Sequence, residues 1–219
     1  MIKLKQDNPA GISIMKYIYK KFPHADFEYT CDMLETANKN LDKIKYLDYI
    51  IKKSCEISRF GKIGIVCETE QEKQAIENYI STQVSEKTVF IIKALPLLKP
   101  LIEENWEKKP ETKSIIRKYL LPLKSNNIDT LVLFSEYFDI LQKEFQKKMG
   151  KNCKIISGTE IQAEEIINTA LKNSENNNIE CNNNKIFIVN KNLYTTEKFK
   201  HIAQKFFCEG ISEKSITVL

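Results

Sequence analysis

The fold is decided by residues 62–94, which read KIGIVCETEQEKQAIENYISTQVSEKTVFIIKA. Two short apolar, β-branched runs, at 62–67 and 88–94, flank a longer amphipathic stretch at 71–81. Strands separated by helix-length segments are typical of βαβ units, whose strands run parallel. This stretch therefore predicts a strand, a crossover helix and a second parallel strand.

The same alternation extends over the rest of the chain and predicts an α/β fold with mostly parallel sheets. The predicted strands are 2–5, 27–31, 62–67, 88–94, 130–133, 154–156, 185–189 and 215–219. The predicted helices are 11–22, 41–58, 71–81, 97–104, 112–125, 138–149, 160–172 and 196–207.

Composition narrows the class of protein. The chain has 219 residues, of which 42% are hydrophobic and 29% are charged, which is typical of a globular protein that buries a core. The six cysteines are scattered without a C-x-x-C pair, and His24 and His201 are the only histidines, so no metal site is expected. The N-terminus lacks the apolar core of a signal peptide, and no long apolar run is present. We expect a cytoplasmic protein with free thiols and no membrane partner.

The net charge of +5 is thinly distributed along the sequence. Residues 1–60 carry 11 basic and 8 acidic groups, residues 61–158 carry 16 and 13, and residues 159–219 carry 7 and 8. Only Arg59 and Arg117 are arginines, and sequence-specific recognition of nucleic acid favours the guanidinium group. The distribution therefore predicts no nucleic-acid partner.

Common phosphate-binding and hydrolase motifs are absent: the sequence holds no Walker A loop, no G-x-G-x-x-G and no G-x-S-x-G. In open α/β sheets the ligand site lies beyond the carboxyl ends of the strands. The polar residues in such positions are 7–8, 67–69, 134–137 and 157–160. Small polar groups there suit anionic ligands, although helix capping alone also explains Asp7, Asn8, Ser157 and Thr159.

Several stretches, taken in order, resemble the glutamate racemase (Asp/Glu racemase) family. Residues 94–106 (ALPLLKPLIEENW) and 119–123 (YLLPL) resemble the family's A-C-P-x-L-V-P-L-I/V-E and Y-L-x-P-L motifs. Residues 128–133 (IDTLVL) match the strand that precedes its G-C-T-H-Y motif. Residues 62–66 (KIGIV) and 7–15 (DNPAGISIM) are similar to its K-I-G-V-I and D-S-G-V-G-G-L-S-V-L motifs. The chain thus resembles a shortened and degenerate member.

The resemblance implies two Rossmann-like α/β lobes whose mostly parallel sheets face each other across a cleft. It places residues 1–60 and 170–219 in the first lobe and residues 61–169 in the second. The first lobe is expected to lack about one βαβ unit, some 30 residues or more. A homodimer is a further expectation from the resemblance, since no sequence feature marks an interface.

The family's activity is cofactor-independent racemisation that supplies D-glutamate for peptidoglycan. Its members use two cysteines, one from each lobe, on opposite faces of the substrate α-carbon. One thiolate removes the α-proton while the other thiol returns a proton from the far side. A thiol suits this role because its pKa lies near the working pH.

The chain differs from the family at the positions of the catalytic and substrate-binding residues. Against G-C-T-H-Y, residues 134–138 read FSEYF: Ser135 stands at the second-lobe cysteine, Glu136 at the substrate-binding threonine and Tyr137 at the histidine. The first-lobe A-C-N-T motif has no counterpart, and the only thiol near that gap, Cys55, does not match it. A serine hydroxyl is too weak a base without an activating partner, and no histidine remains nearby.

Three interpretations follow from the sequence. In the first, the protein is a racemase-like protein inactive by the two-cysteine mechanism. In the second, it is an enzyme with altered one-base chemistry on a small amino or carboxylic acid, using Glu136 or Ser135. In the third, it is a protein-binding module derived from the racemase fold. If the pocket survives, the resemblance makes Asp7, Asn8, Glu136 and Tyr137 candidates for binding a small acidic amino acid.

Overall fold

The computed structural model describes residues 2–6, 27–31, 39–83, 88–164, 185–189 and 216–218. The chain forms two compact units, one of Met1–Lys45 with Gln162–Leu219 and one of Tyr46–Ile161. The sequence-based boundaries lie after residues 60 and 169, whereas the units divide after residues 45 and 161. The difference at the first boundary arises because residues 46–57 pack with the second unit.

The first unit contains a sheet of four parallel strands in the order β1-β2-β7-β8. Adjacent strands are aligned with Ile2 opposite Phe27, Phe27 opposite Lys185, and Phe187 opposite Ile216. The strands are β1 (Ile2–Gln6), β2 (Phe27–Cys31), β7 (Lys185–Val189) and β8 (Ile216–Val218).

The second unit is built on another parallel sheet, in the order β4-β3-β5-β6. The two central strands, β3 and β5, are almost entirely buried, since helices cover both faces of a parallel sheet. Their residues are apolar and β-branched for that reason. The strands are β3 (Lys62–Cys67), β4 (Val89–Ala94), β5 (Thr130–Leu133) and β6 (Lys154–Ser157).

Helices separate the strands. They are α1 (Lys39–Ile57), α2 (Glu70–Gln83), α3 (Leu98–Glu103), α4 (Pro110–Ser125), α5 (Glu136–Ile140) and α6 (Gln142–Met149), followed by helical backbone at 158–164.

The helices form two layers, one on each face of the second sheet. Leu47, Ile50 and Ile51 of α1, with Ile76 of α2, pack in one core cluster with Ile63 and Ile65. Successive strand residues point to opposite faces, so Gly64 faces the other layer. A Cβ atom on Gly64 would lie 3.3 Å from Leu123 of α4. We call these the α1/α2 layer and the α4/α6 layer.

All eight predicted strands are present, with ends that shift by at most one residue. The predicted helix 138–149 is wrong as a single element, because Leu141 leaves helical geometry (φ −96°, ψ 5°) and separates α5 from α6. Leu141 is itself buried, so tertiary packing overrides the local pattern. The predicted helices 11–22 and 196–207 lie outside the described residues, and 160–172 is described only as far as residue 164.

Candidate functional site

The candidate site of the second unit lies at the carboxyl edge of its sheet. Because β3, β5 and β6 run parallel, the residues that follow them come together there. Glu68 follows β3, Ser135 follows β5, and Ser157 ends β6. Glycine is required where the chain leaves β6, since a Cβ atom on Gly158 would lie 2.8 Å from the carbonyl oxygen of Leu133. The glycine thus allows the chain to leave β6 close to the end of β5, which pairs with β6 up to Leu133 and Ser157.

Ser135 is the N-cap residue of α5. Its Oγ accepts a hydrogen bond from the backbone N–H of Tyr137 at 3.3 Å, and its hydroxyl donates to Glu68 Oε1 at 2.5 Å. The residue is only 2% exposed. The sequence predicted no activating partner for this hydroxyl, since no histidine lies nearby. The structure places the Glu68 carboxylate there, which accepts the hydroxyl hydrogen in a hydrogen bond but whose negative charge opposes ionisation to an alkoxide.

Glu68 is held in place by the start of α2. Thr69 Oγ1 accepts the N–H of Glu72 at 3.1 Å, and Glu72 Oε2 accepts the N–H of Glu68 at 2.9 Å. A threonine followed three residues later by glutamate is a common arrangement at helix N-termini. The Glu68 carboxylate also forms an ion pair with Lys99, with 3.5 Å between Oε2 and Nζ.

The contacts continue from Lys99 to the first turn of α5. The Lys99 ammonium lies 5.0 Å from the centre of the Tyr137 ring, within the range of a cation–π interaction. The Tyr137 hydroxyl donates to Glu103 Oε1 at 3.1 Å. We call this connected set, formed by Ser135, Glu68, Lys99, Tyr137 and Glu103, the Ser135 network.

The sequence pointed to part of this network. Ser135 and Tyr137 were predicted site residues, and the structure brings them together. The position of Glu68 could have identified it as a site residue from the sequence, since it directly follows a buried strand. Lys99 could also have been identified, because it places a charge where the resembled motif A-C-P-x-L-V-P-L has valine. The predicted candidates Asp7 and Asn8 lie outside the described residues.

A buried carboxyl group that sequence reasoning missed lies farther along α5. Both carboxyl oxygens of Asp139 are buried and have no hydrogen-bond partner among the described residues. Burial raises the pKa of Asp139 to about 7, and the nearby Ser157 and Thr159 hydroxyls oppose that rise. Glu136, a predicted site residue, is also buried, and its charge adds to the rise. This end of the sheet therefore holds a carboxyl group that titrates near neutral pH.

The cysteines of the second unit do not form an acid–base pair. Burial raises the pKa of the Cys67 thiol to about 12 and that of the Cys153 thiol to about 11. Burial also raises the pKa of Cys55. A thiol must ionise to act as a base, so these three groups are protonated at neutral pH.

Two classes of site are not found in the described part of the chain. No three histidine, cysteine, aspartate or glutamate side chains are gathered there in a way that could hold a metal ion. None of the helices described is both long and apolar enough to cross a bilayer.

The fold places the chain in a class of α/β proteins represented by glutamate racemases. A glutamate racemase isoform from Bacillus anthracis superposes with a TM-score of 0.78 at 17% identity, covering 100% of this chain and 97% of that one. The Francisella tularensis enzyme, solved with D-glutamate, gives a TM-score of 0.75 at 12% identity, covering 99% and 96%.

Sequence comparison gives the same relationship. Glutamate racemase from Neisseria meningitidis is 32% identical over 132 residues, which are 58% of this chain and 48% of the relative. That from Syntrophus aciditrophicus is 27% identical over 130 residues. The chain thus spans about half the length of these relatives, and no protein-family model matches it. Together, sequence and structure establish that the chain is homologous to glutamate racemases.

Proposed function

We propose that this chain is a glutamate racemase homologue that has lost both catalytic cysteines and does not invert amino acids by the two-thiol mechanism. The observation that carries the proposal is the environment of Ser135, the residue at the second-lobe cysteine position. Its hydroxyl proton is directed to Glu68, and its oxygen accepts the N–H of Tyr137. The group is buried and engaged in capping α5.

Proton abstraction from an amino-acid α-carbon needs a base whose pKa approaches the working pH. A serine hydroxyl does not meet that need, and a neighbouring carboxylate opposes formation of an alkoxide. The three cysteines with described side chains do not meet it either, because burial raises their thiol pKa values. Racemisation further requires one such group on each face of the substrate α-carbon. In this proposal the chain supplies neither of them.

The first-lobe cysteine is absent, in this proposal, because about one βαβ unit is missing. Support comes from residues 39–67, which are described without a gap. In this stretch α1 ends at Ile57 and β3 begins at Lys62. Four residues therefore join a helix that starts in the first unit to a central strand of the second, with no room for a strand and its thiol.

A second candidate function is one-base chemistry on a small amino or carboxylic acid. The sequence suggested Glu136 or Ser135 for this role. The observation that favours it is the raised pKa of their neighbour Asp139, which burial brings to about 7. A general acid or base is most effective when its pKa lies near the working pH. A reaction by this route would need an opening to the Asp139 carboxyl group, which is buried.

Ligand binding without catalysis is part of the same proposal. The Francisella tularensis relative was solved with D-glutamate and the Escherichia coli relative with L-glutamate. A small acidic amino acid is therefore the ligand to test, with Asp7, Asn8, Glu136 and Tyr137 as candidate contacts. A cytoplasmic location remains an expectation from the sequence, and a homodimer remains an expectation from the resemblance.

The test is circular dichroism of L- and D-glutamate and of L- and D-aspartate incubated with the purified protein. We expect no loss of optical activity with the natural chain. Inversion of any of the four amino acids would overturn the proposal. Thermal-shift measurements with the same compounds separate binding from catalysis, and a known racemase serves as the positive control.

A further inference from the structure

The two helical layers of the second unit differ in how their charges are balanced. In the α1/α2 layer, each lysine with a described side chain lies about one helical turn from an acidic partner. Lys52 pairs with Asp48 at 2.7 Å, Lys53 with Glu56 at 3.5 Å, and Lys73 with Glu70 at 3.3 Å. Glu72 and Glu77 add further acidic groups to α2. The described side chains of this layer are therefore three lysines against five acidic residues, with no cationic surplus.

The α4/α6 layer has a cationic surplus. The two helices carry seven basic residues, and an eighth, Lys151, lies in the turn after α6; all are exposed except Lys148, which is half-buried. The acidic residues on the same two helices are Glu111 and Glu144. Of the ion pairs found between described residues, one lies here, between Lys147 and Glu144 at 2.8 Å. The basic residues, which we call the basic patch, are Lys113, Arg117, Lys118, Lys124, Lys143, Lys147, Lys148 and Lys151.

Direct contacts and electrostatics bring members of the basic patch together. Lys147 lowers the pKa of Glu144 by its hydrogen bond, and the charges of Lys113 and Lys148 lower it further. Lys124 Nζ donates to the backbone carbonyl of Lys148 at 3.1 Å, which joins the end of α4 to the end of α6. Lys113 and Lys124 are eleven residues apart on α4, or about 16 Å along its axis. These contacts link four members of the patch, Lys113, Lys124, Lys147 and Lys148, across the two helices.

We propose that the basic patch binds the phosphate backbone of nucleic acid without sequence preference. A row of cations on two packed helices matches the closely spaced charges of a duplex, and lysine acts as a point charge toward phosphate. The single arginine of the patch leaves little means of reading base edges. This inference is independent of racemase activity and departs from the expectation, drawn from the linear charge distribution, that nucleic acid is not a partner.

An anionic membrane fits the same surface less well. The apolar side of α4 is used inside the protein, since Ile116, Leu120 and Leu123 are buried. Leu121 is the large exposed hydrophobic residue among the described residues of these two helices. Surface helices that bind bilayers insert an apolar face, and one leucine does not provide it.

The test is fluorescence anisotropy of a labelled, mixed-sequence DNA duplex titrated with the full chain at several salt concentrations. Each phosphate neutralised contributes about −0.9 to the slope of log K against log salt. We expect the double variant Lys147→Glu/Lys148→Glu to bind more weakly and to reduce the magnitude of that slope by about 2. Lys52→Glu/Lys53→Glu reverses two lysines of the α1/α2 layer and is expected to bind like the natural chain.

Several results would overturn the proposal. These are no binding to the duplex at low salt, equal weakening by the two double variants, or tighter binding to polyglutamate or to phosphatidylserine vesicles than to the duplex. Each double variant reverses one exposed and one half-buried lysine, so the two are matched in burial and both are expected to fold. Circular dichroism melting of each variant checks that loss of binding is not loss of structure.

Discussion

The Ser135 hydroxyl donates its proton to Glu68 Oε1 at 2.5 Å, so the residue at the resembled cysteine position is hydrogen-bonded to a carboxylate that itself pairs with Lys99. Two residues in this chain of contacts, Lys99 and Ser135, differ from the resembled racemase motifs.

Ser135→Ala should destabilise the second unit. The change removes the α5 N-cap, worth about 0.5–2 kcal/mol, and leaves the Glu68 carboxylate without one of its donors. We expect a loss of about 1–2 kcal/mol in the free energy of unfolding, measured by urea denaturation. Ser81→Ala, an exposed serine near the end of α2, should change it by less than about 0.5 kcal/mol. Equal effects of the two changes would contradict a specific role for Ser135.

A Ser135→Cys variant should not recover racemase activity. Glu68 lies at hydrogen-bond distance, and a neighbouring negative charge raises a thiol pKa. The thiolate absorbance of Ser135→Cys, taken as a difference from the natural chain, should therefore titrate above the usual range for cysteine. Adding Glu68→Gln should lower that pKa, whereas adding Glu103→Gln, which lies farther along the network, should change it less. A thiol pKa that does not respond to Glu68→Gln would contradict this account.

The buried carboxyl of Asp139 predicts a pH dependence of stability. Its pKa is raised in the folded state from 3.8 to about 7, so between these values the folded chain binds a proton that the unfolded chain has released. Stability from this group is therefore lost as the pH rises from about 4 to about 7, with a slope of up to about 1.4 kcal/mol per pH unit.

Asp139→Asn should remove this loss, because the amide cannot ionise. The free energy of unfolding of the variant, relative to that of the natural chain, should then increase from pH 4 toward pH 7. Urea denaturation at a series of pH values measures it. Asp48→Asn is a control of opposite sign: the hydrogen bonds from Lys52 and Tyr79 lower the pKa of Asp48, so it stabilises the fold at higher pH. A pH-independent difference between Asp139→Asn and the natural chain would contradict the assignment.

The α/β framework was predictable because buried parallel strands leave a local signature. β3 and β5 are short and apolar on both faces, and each is followed by an amphipathic segment. The break at Leu141 left no such signature, because it depends on packing around a buried side chain. Local pattern thus located the elements but not every boundary.

The site was only partly predictable because its partners come from separate elements. Ser135 and Tyr137 stand in a recognisable motif, whereas Lys99 and Glu103 meet them only when α3 folds beside α5. The basic patch was missed for a related reason. A net charge counted along the sequence combines the acidic residues of α2 with the basic residues of α4, although these helices cover opposite faces of one sheet.

Gly64 provides a test of the packing that supports the site. It lies in the middle of β3, and a Cβ atom there would come within 2.5 Å of Ile128 Cδ1. Gly64→Ala should therefore cost about 1–3 kcal/mol by overpacking, even though alanine is usually better tolerated in a strand than glycine. Ile128→Val removes the obstructing Cδ1 atom and should itself cost about 0.5–1.5 kcal/mol. Gly64→Ala should therefore cost less stability in the Ile128→Val background than in the natural chain. Urea denaturation of the natural chain, the two single variants and the double variant measures this difference as a coupling energy. Additive costs would mean that the Ile128 Cδ1 atom is not what opposes the added methyl group.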